Sequence, residues 1–327
     1  MTHETFDPAR RRNLAGATGL ALAPTLAGVT RPAAGAAPMM GVAQPTHYRY
    51  PLGGFEVIHL WDGLVELDGP HPIFGQDQAA EDVQALAVAN FLPATRMQIS
   101  FMPVLVNTGQ ELVLFDTGND PNSRPTAGKL RDTIKSAGYS LEQIDRVVIT
   151  HCHPDHIGGL MTEGQPTFPN AQYAMGQAEY DFWSPVEKAE GPTARVGSLV
   201  QSNVVPLAEG MTFLQPDDEV VAGIRAVDAF GHTPGHMAFH IESEGKRLLL
   251  MADTTNHYVV SLQRPDWHVR FDMDKDKAAA TRKRILDMAA ADGIPITGYH
   301  MPFPSVGFVE KTERSYRWVQ PSYQLVM

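Results

Sequence analysis

From about Tyr48 onward, short apolar, β-branched runs alternate with helix-favouring stretches. Phe55–Trp61 reads as a strand closed by Asp62 and Gly63. Met102–Val106 and Leu112–Phe115 flank Asn107, Thr108 and Gly109 as a hairpin-like pair. Further strands are expected at Arg146–Ile149, Asn170–Met175, Ile224–Ala229, Ala238–Ile241 and Arg247–Met251. Helices are expected over 126–138, 177–183, part of 187–201, and 274–291. Strands followed by helices in each half predict an α/β architecture of two face-to-face sheets with helices outside, in one domain.

The run Val147-Val148-Ile149 feeds directly into Thr150-His151-Cys152-His153-Pro154-Asp155-His156. Three imidazoles and a carboxylate within six residues present metal-binding groups on one turn. Chance clustering explains such spacing poorly. Three later segments offer further donors: His232 in Gly231–His236, Asp253 after Met251-Ala252, and His300 after Gly298-Tyr299. Imidazole and carboxylate suit zinc, with manganese, cobalt or iron as substitutes, in one or two ions. In a tight turn the alternate residues His151 and His153 can reach one ion, with His232 as third ligand. Asp155 and His156 suit a second ion with His300, and Asp253 could bridge the two. Two ions about 3.5–4 Å apart activate water at neutral pH and polarise the bond under attack. Asp155, Asp253 and Asp116 are the candidate catalytic carboxylates, Asp116 also as an acceptor orienting a ligating histidine. His236 is expected to bond backbone, and Cys152 to be a small buried apolar residue.

Composition changes the picture at two points. With 37 acidic and 26 basic residues, the formal net charge of −11 argues against nucleic acid or an anionic membrane as partner. The N-terminus carries Arg10-Arg11-Arg12, an Ala/Gly/Leu-rich run from Leu14 to Val29, and Ala34-Gly35-Ala36. That is the layout of an export signal over residues 1–36, twin-arginine in type, with a catalytic domain over 37–327 and a periplasmic or secreted location. The run is too short and too broken by Gly and Pro for stable membrane insertion. A single cysteine rules out an intrachain disulfide.

His-x-His-x-Asp-His at 151–156, with Asp116, His232, Asp253 and His300 in that order, resembles the metallo-β-lactamase superfamily. The likeness implies an αββα sandwich, two mixed sheets with outer helices and metals at the sheet edge. It assigns His151, His153 and His232 to one metal and Asp155, His156 and His300 to the other, with Asp253 between. Within the superfamily the chain looks most like the branch of methyl parathion hydrolase and the chlorothalonil-type hydrolytic dehalogenases. Val106–Gly109, Thr150–Leu160, Phe168–Ala171, Asp181–Trp183, Gly231–His236 and Met301–Pro304 carry that likeness. Trp183 matches one pocket aromatic of that branch, whereas Ser123 and residues 187–200 supply none of the others.

A pocket wall of Trp183, Phe182, Trp267 and Phe303 is therefore expected around a small, apolar, activated substrate. The leading expectation is hydrolytic dehalogenation of a chlorinated aromatic, giving chloride and a phenol. Aryl phosphotriester hydrolysis and acyl-homoserine lactone (or other lactone) hydrolysis are the alternatives. Lactone opening gains from a proton donor, for which Tyr258 and Tyr299 are candidates. An iron-dependent redox protein on the same fold is disfavoured because the second donor set is complete. A homodimer is the expected assembly.

Overall fold

A computed structural model describes residues 37–41 and 43–322; the expected export signal lies outside them. Contacts gather the chain from Gln44 onward into one unit. It is built on two seven-stranded sheets. The first runs His47–Leu52, Phe55–Leu60, Val104–Asn107, Leu112–Phe115, Arg146–Ile149, Gln172–Gly176 and Met211–Leu214, antiparallel at its start and parallel from Leu112–Phe115 onward. The second runs Glu219–Val221, Ile224–Asp228, Met237–Ser243, Lys246–Ala252, Ile296–Gly298, Val306–Lys311 and Tyr316–Val319. Its one parallel pair joins Lys246–Ala252 to Ile296–Gly298.

The near-continuous apolar strands are explained by burial on both faces. Along Arg146–Ile149, Val148 points between the sheets while Val147 and Ile149 point to the helix side. In the second sheet Leu248 and Leu250 face the first, and Leu249 and Met251 face the outer helix. The inter-sheet layer joins Val57, Val106 and Phe115 to Ala226, Phe239 and Ile241, with the Phe115 and Phe239 rings 5.0 Å apart. Leu130, Ile134 and Val200 cover the first sheet from outside, and Ile285, Leu286 and Ala289 cover the second. This is the expected αββα sandwich.

Helix Lys275–Asp292 matches its expected bounds because both ends are specified. Asp274 accepts the Lys277 amide at 3.0 Å, and Gly293 closes the helix at φ 63°. The helix expected over 126–138 is shorter, Leu130–Ser136. The amides of Gly128 and Leu130 are drawn instead onto the buried Asp62 carboxylate, which fixes the turn ahead of the helix. A hairpin of Gly63–Asp68 with Arg96–Phe101 went unread, although it walls the site. Its strands are partly exposed and pair across about thirty residues, so neither carries a strong local signal. Among the described residues, no helix is long and apolar enough to cross a membrane.

Candidate metal centre

Every donor of the site stands where a strand runs out. The strand Arg146–Ile149 delivers His151 and His153, and the single helical turn Pro154–Ile157 carries Asp155 and His156. Asp253 follows the strand Lys246–Ala252, and His300 follows Ile296–Gly298. His232 lies in the loop between Ile224–Asp228 and Met237–Ser243. Ala252 is held at φ 44°, a left-handed conformation that costs a residue with a Cβ about 1–2 kcal/mol. Such strain persists only where surrounding contacts fix it. Gly235 allows the His232 loop to touch the helix Gln177–Trp183, since a Cβ there would fall 2.0 Å from the Glu179 nitrogen.

The donors form two groups. His151, His153, His232 and Asp253 make one, Asp155, His156 and His300 the other, each with its ligand atoms within 4.8 Å of one another. Asp253 touches both. Its Oδ2 lies 3.3 Å from His232 Nε2 and 3.1 Å from His300 Nε2, and its Oδ1 lies 3.5 Å from His156 Nε2. The residue partition expected from the sequence is therefore the one the fold brings together.

Outer hydrogen bonds decide which ring nitrogens face inward as bare lone pairs. His156 Nδ1 donates to Asp116 Oδ2 at 2.8 Å, His232 Nδ1 to Asp272 Oδ1 at 2.8 Å, and His300 Nδ1 to the Ser100 carbonyl at 2.8 Å. Thr150 spends its own proton on Asp116, so its oxygen accepts from His151 Nδ1 at 3.1 Å. With each outward nitrogen carrying the hydrogen, the inward nitrogen of the neutral ring has only a lone pair. His153, which has no such outer partner, points its Nδ1 into the same space, 3.1 Å from His151 Nε2 and 2.9 Å from His232 Nε2. His156 Nε2 and Asp253 Oδ1 are buried without any hydrogen-bond partner. Buried polar atoms are seldom left so. A cation satisfies all of them at once, and the cluster is built to bind metal.

The electrostatics agree. Burial and mutual repulsion hold His151 and His153 well below the usual imidazole range. Burial also opposes charge on His156, but Asp253, Asp116 and Asp155 outweigh it and hold that ring well above the range. At His232, burial is likewise outweighed by hydrogen bonds to Asp253 and Asp272, lifting it to about 9. Protons thus gather where metal charge belongs, and metal binding must displace them.

Sequence reasoning missed the supports behind these ligands. Glu179 is fully buried and accepts four hydrogen bonds: from the Cys152 and Gly235 amides, the Thr233 hydroxyl and the Trp183 indole, at 2.7–2.9 Å. It ties the His151–His156 loop to the His232 loop. Asp272 bridges His232 to Arg282, itself buried. Neither Glu179 nor Asp272 stands in a motif, so only the fold reveals them. Asp116, counted among the catalytic candidates, does not line the cavity; it orients His156 and Thr150. His236 behaves as expected. Its Nδ1 donates to the Ala229 carbonyl and its Nε2 accepts the Asp253 amide, so it positions Asp253 through the backbone. Cys152 is buried in the core, as expected.

A family model described as the metallo-beta-lactamase superfamily matches residues 103–292. The chain belongs to the metallo-beta-lactamase superfamily. Among curated members, an N-acyl homoserine lactonase of Bacillus cereus is 28% identical over 118 residues, 36% of this chain and 41% of that protein. A hydroxyacylglutathione hydrolase of Cereibacter sphaeroides is 30% identical over 118 residues, 36% of this chain and 35% of that one. The chain thus spans less than half the length of both relatives. Solved superfamily structures align far more fully. A dizinc quorum-quenching lactonase in complex with its product N-hexanoyl-L-homoserine superposes with TM-score 0.77 at 25% identity, covering 84% of this chain and 97% of that one. The hydrolase AbOPH gives 0.78 at 25% identity, covering 86% and 100%.

A cavity of about 340 Å³ opens above the donors, reaching His153, Asp155, Asp253 and His300. Its walls correct one expectation, because none of Trp183, Phe182, Trp267 and Phe303 lines it. Trp183 lies four residues after Glu179 on the same helical face and is buried in the core with it. Phe182 packs on that core under the Lys188 ammonium, 3.6 Å from its ring centroid. Trp267 packs with Ile73 and Phe74 beneath Arg264. Phe303 sits beyond His300, its carbonyl facing Gln320. The walls are instead Val65, Leu67, Ile99 and Phe101 from the unread hairpin, with Val196 and Phe271. Tyr299 donates its hydroxyl to the Asp155 carbonyl, and Tyr258 stacks on His257; neither lines the cavity.

Proposed function

We propose that the protein is a zinc-dependent hydrolase that opens lactones, N-acyl homoserine lactones being the leading class. The observation that carries the choice of substrate is the cavity wall. The clamp of Trp183, Phe182, Trp267 and Phe303 expected for a flat chlorinated ring is not in the wall, and the two rings that are, Phe101 and Phe271, lie under the guanidinium groups of Arg124 and Arg270. The mixed aliphatic wall of Val65, Leu67, Ile99 and Val196 suits a flexible acyl chain. The likeness to lactonases in both sequence and structure supports the same reading.

A pair of zinc ions held by His151, His153, His232 and Asp253 and by Asp155, His156 and His300 would supply Lewis acidity and a nucleophile from water at neutral pH. The chain's own residues do the rest. The side chain of Asp155 is partly open to the cavity and can take the proton released as water adds to the acyl carbon. The acyl carbon gains the water oxygen, the ring C–O bond breaks, and the proton passes to the departing alkoxide. Asn256 donates to Asp253 Oδ2 at 2.9 Å, which leaves its own buried, unpartnered Oδ1 in need of a donor. Phe101 packs edge-on to His300 at 5.7 Å and keeps water from one side of the ligand.

A pH-stat assay of metal-loaded protein with N-hexanoyl-L-homoserine lactone, an aryl phosphotriester and a chlorinated aromatic nitrile tests this reading. Proton release on the lactone that Asp155→Asn abolishes is the expected result. Chloride release or phosphotriester turnover without lactone opening would overturn it.

A further inference from the structure

Three arginines, Arg124, Arg195 and Arg270, line the same cavity as the metal donors. Among the described residues none of their guanidinium groups makes a hydrogen bond or ion pair. Among the other described arginines, the exposed Arg225 and Arg314 share that state, whereas Arg96, Arg146, Arg247, Arg284 and Arg317 each sit against a carboxylate. The only acids lining the cavity, Asp155 and Asp253, lie within 3.6 Å of inward-facing imidazoles and are committed to the donor sets. Two of the three arginines are laid against aromatic rings of the cavity wall. The Arg124 guanidinium lies 5.7 Å from the Phe101 centroid, and that of Arg270 lies 5.2 Å from Phe271. Stacking of this kind restrains a guanidinium while leaving its N–H edge free for a planar oxyanion. The three come from separate segments: the loop after Asp116, the start of the helix Ala194–Asn203, and the loop before Lys275–Asp292. A positive rim therefore stands over an apolar wall and an acid-and-imidazole floor.

From this rim, and resting on the lactone-hydrolase reading for the reaction itself, we infer that the substrate carries a carboxylate at the end of its acyl chain, remote from the bond that breaks. The floor takes the acyl carbon, the aliphatic wall the methylene chain, and the rim the terminal charge. Such a substrate is the lactone of a dicarboxylic acid half-amide, and its product is a dianion.

Two probes of equal chain length test the inference: N-(5-carboxypentanoyl)-L-homoserine lactone and N-hexanoyl-L-homoserine lactone. At low ionic strength kcat/KM is expected to favour the carboxylated probe at least tenfold, with the ratio falling as salt is added. In the combined variant Arg124→Gln, Arg195→Gln, Arg270→Gln the ratio is expected to fall to about one, while metal content and far-ultraviolet circular dichroism hold. Binding of adipate against hexanoate, followed by titration calorimetry on the metal-loaded protein, reads the rim without any turnover. Tighter binding of adipate, lost in the variant, upholds the rim even if no lactone is opened. Equal affinities and equal kcat/KM values in the wild-type protein would overturn it, even if both lactones are opened rapidly.

Discussion

The floor and the rim of the cavity are built by opposite rules. On the floor four of the five imidazoles have an outer partner: His151 on Thr150, His156 on Asp116, His232 on Asp272, His300 on the Ser100 carbonyl. On the rim Arg124, Arg195 and Arg270 have none among the described residues, and Arg195 and Arg270 stand exposed. The floor is preorganised and has one geometry; the rim keeps its donors uncommitted. The lesson is a division of labour. Chemistry is fixed by ligands locked from behind, and choice of substrate is left to groups that bind only when something arrives.

The comparison can be broken most directly at Asp253, the carboxylate that touches both donor groups. Asp253→Asn is expected to lower turnover by roughly a thousandfold or more and to reduce bound metal, as atomic absorption would report. Retained metal with near-normal rate would mean the floor is not one unit. Next in size is the contrast within one loop. His232→Ala should lose metal and rate together, whereas His236→Ala, which removes only the support of the Asp253 and Ala229 backbone, should cost mainly stability, about 1–3 kcal/mol in urea unfolding. Equal metal loss in both would erase the distinction between ligand and support. Glu179→Gln sharpens the same point from behind. An amide would turn its N–H₂ toward donors that need an acceptor, so a loss of about 10- to 100-fold in metal affinity or rate is expected.

A further contrast lies outside both regions. His59 is buried against Tyr50 and Thr297, and burial pushes it down to about 3. The unfolded chain takes up this proton below about 6.5, but the folded chain refuses it until about 3. Between those values the unfolded state binds more protons, so stability falls as pH falls. His59→Asn should therefore flatten the stability–pH curve in that window by up to about 1.4 kcal/mol per pH unit. An unchanged slope would show that His59 contributes nothing to the acid sensitivity.

The floor was largely legible in the sequence because its densest part is local. His151, His153, Asp155 and His156 share one turn, and the runs before them show two-sided burial directly. The supports and the rim were not. Glu179 and Asp272 reach their partners only through tertiary packing, and Arg124, Arg195 and Arg270 meet from three distant segments. Trp183 misled for an instructive reason: four-residue helical spacing turns it inward with Glu179, so proximity to a motif in sequence did not mean proximity to the cavity. The hairpin that supplies most of the wall was invisible because its strands are weakly patterned and pair at long range.

Asp253 joins the two donor groups of the floor, and a two-metal site depends on it. Metal content of the purified protein, measured by inductively coupled plasma mass spectrometry alongside the Asp253→Asn and Asp155→Asn variants, tests it most directly. Two ions per chain, mainly zinc, falling to one or fewer in both variants, is the expected result. A single ion that neither variant disturbs, or a wild-type protein that takes up no metal, would contradict it.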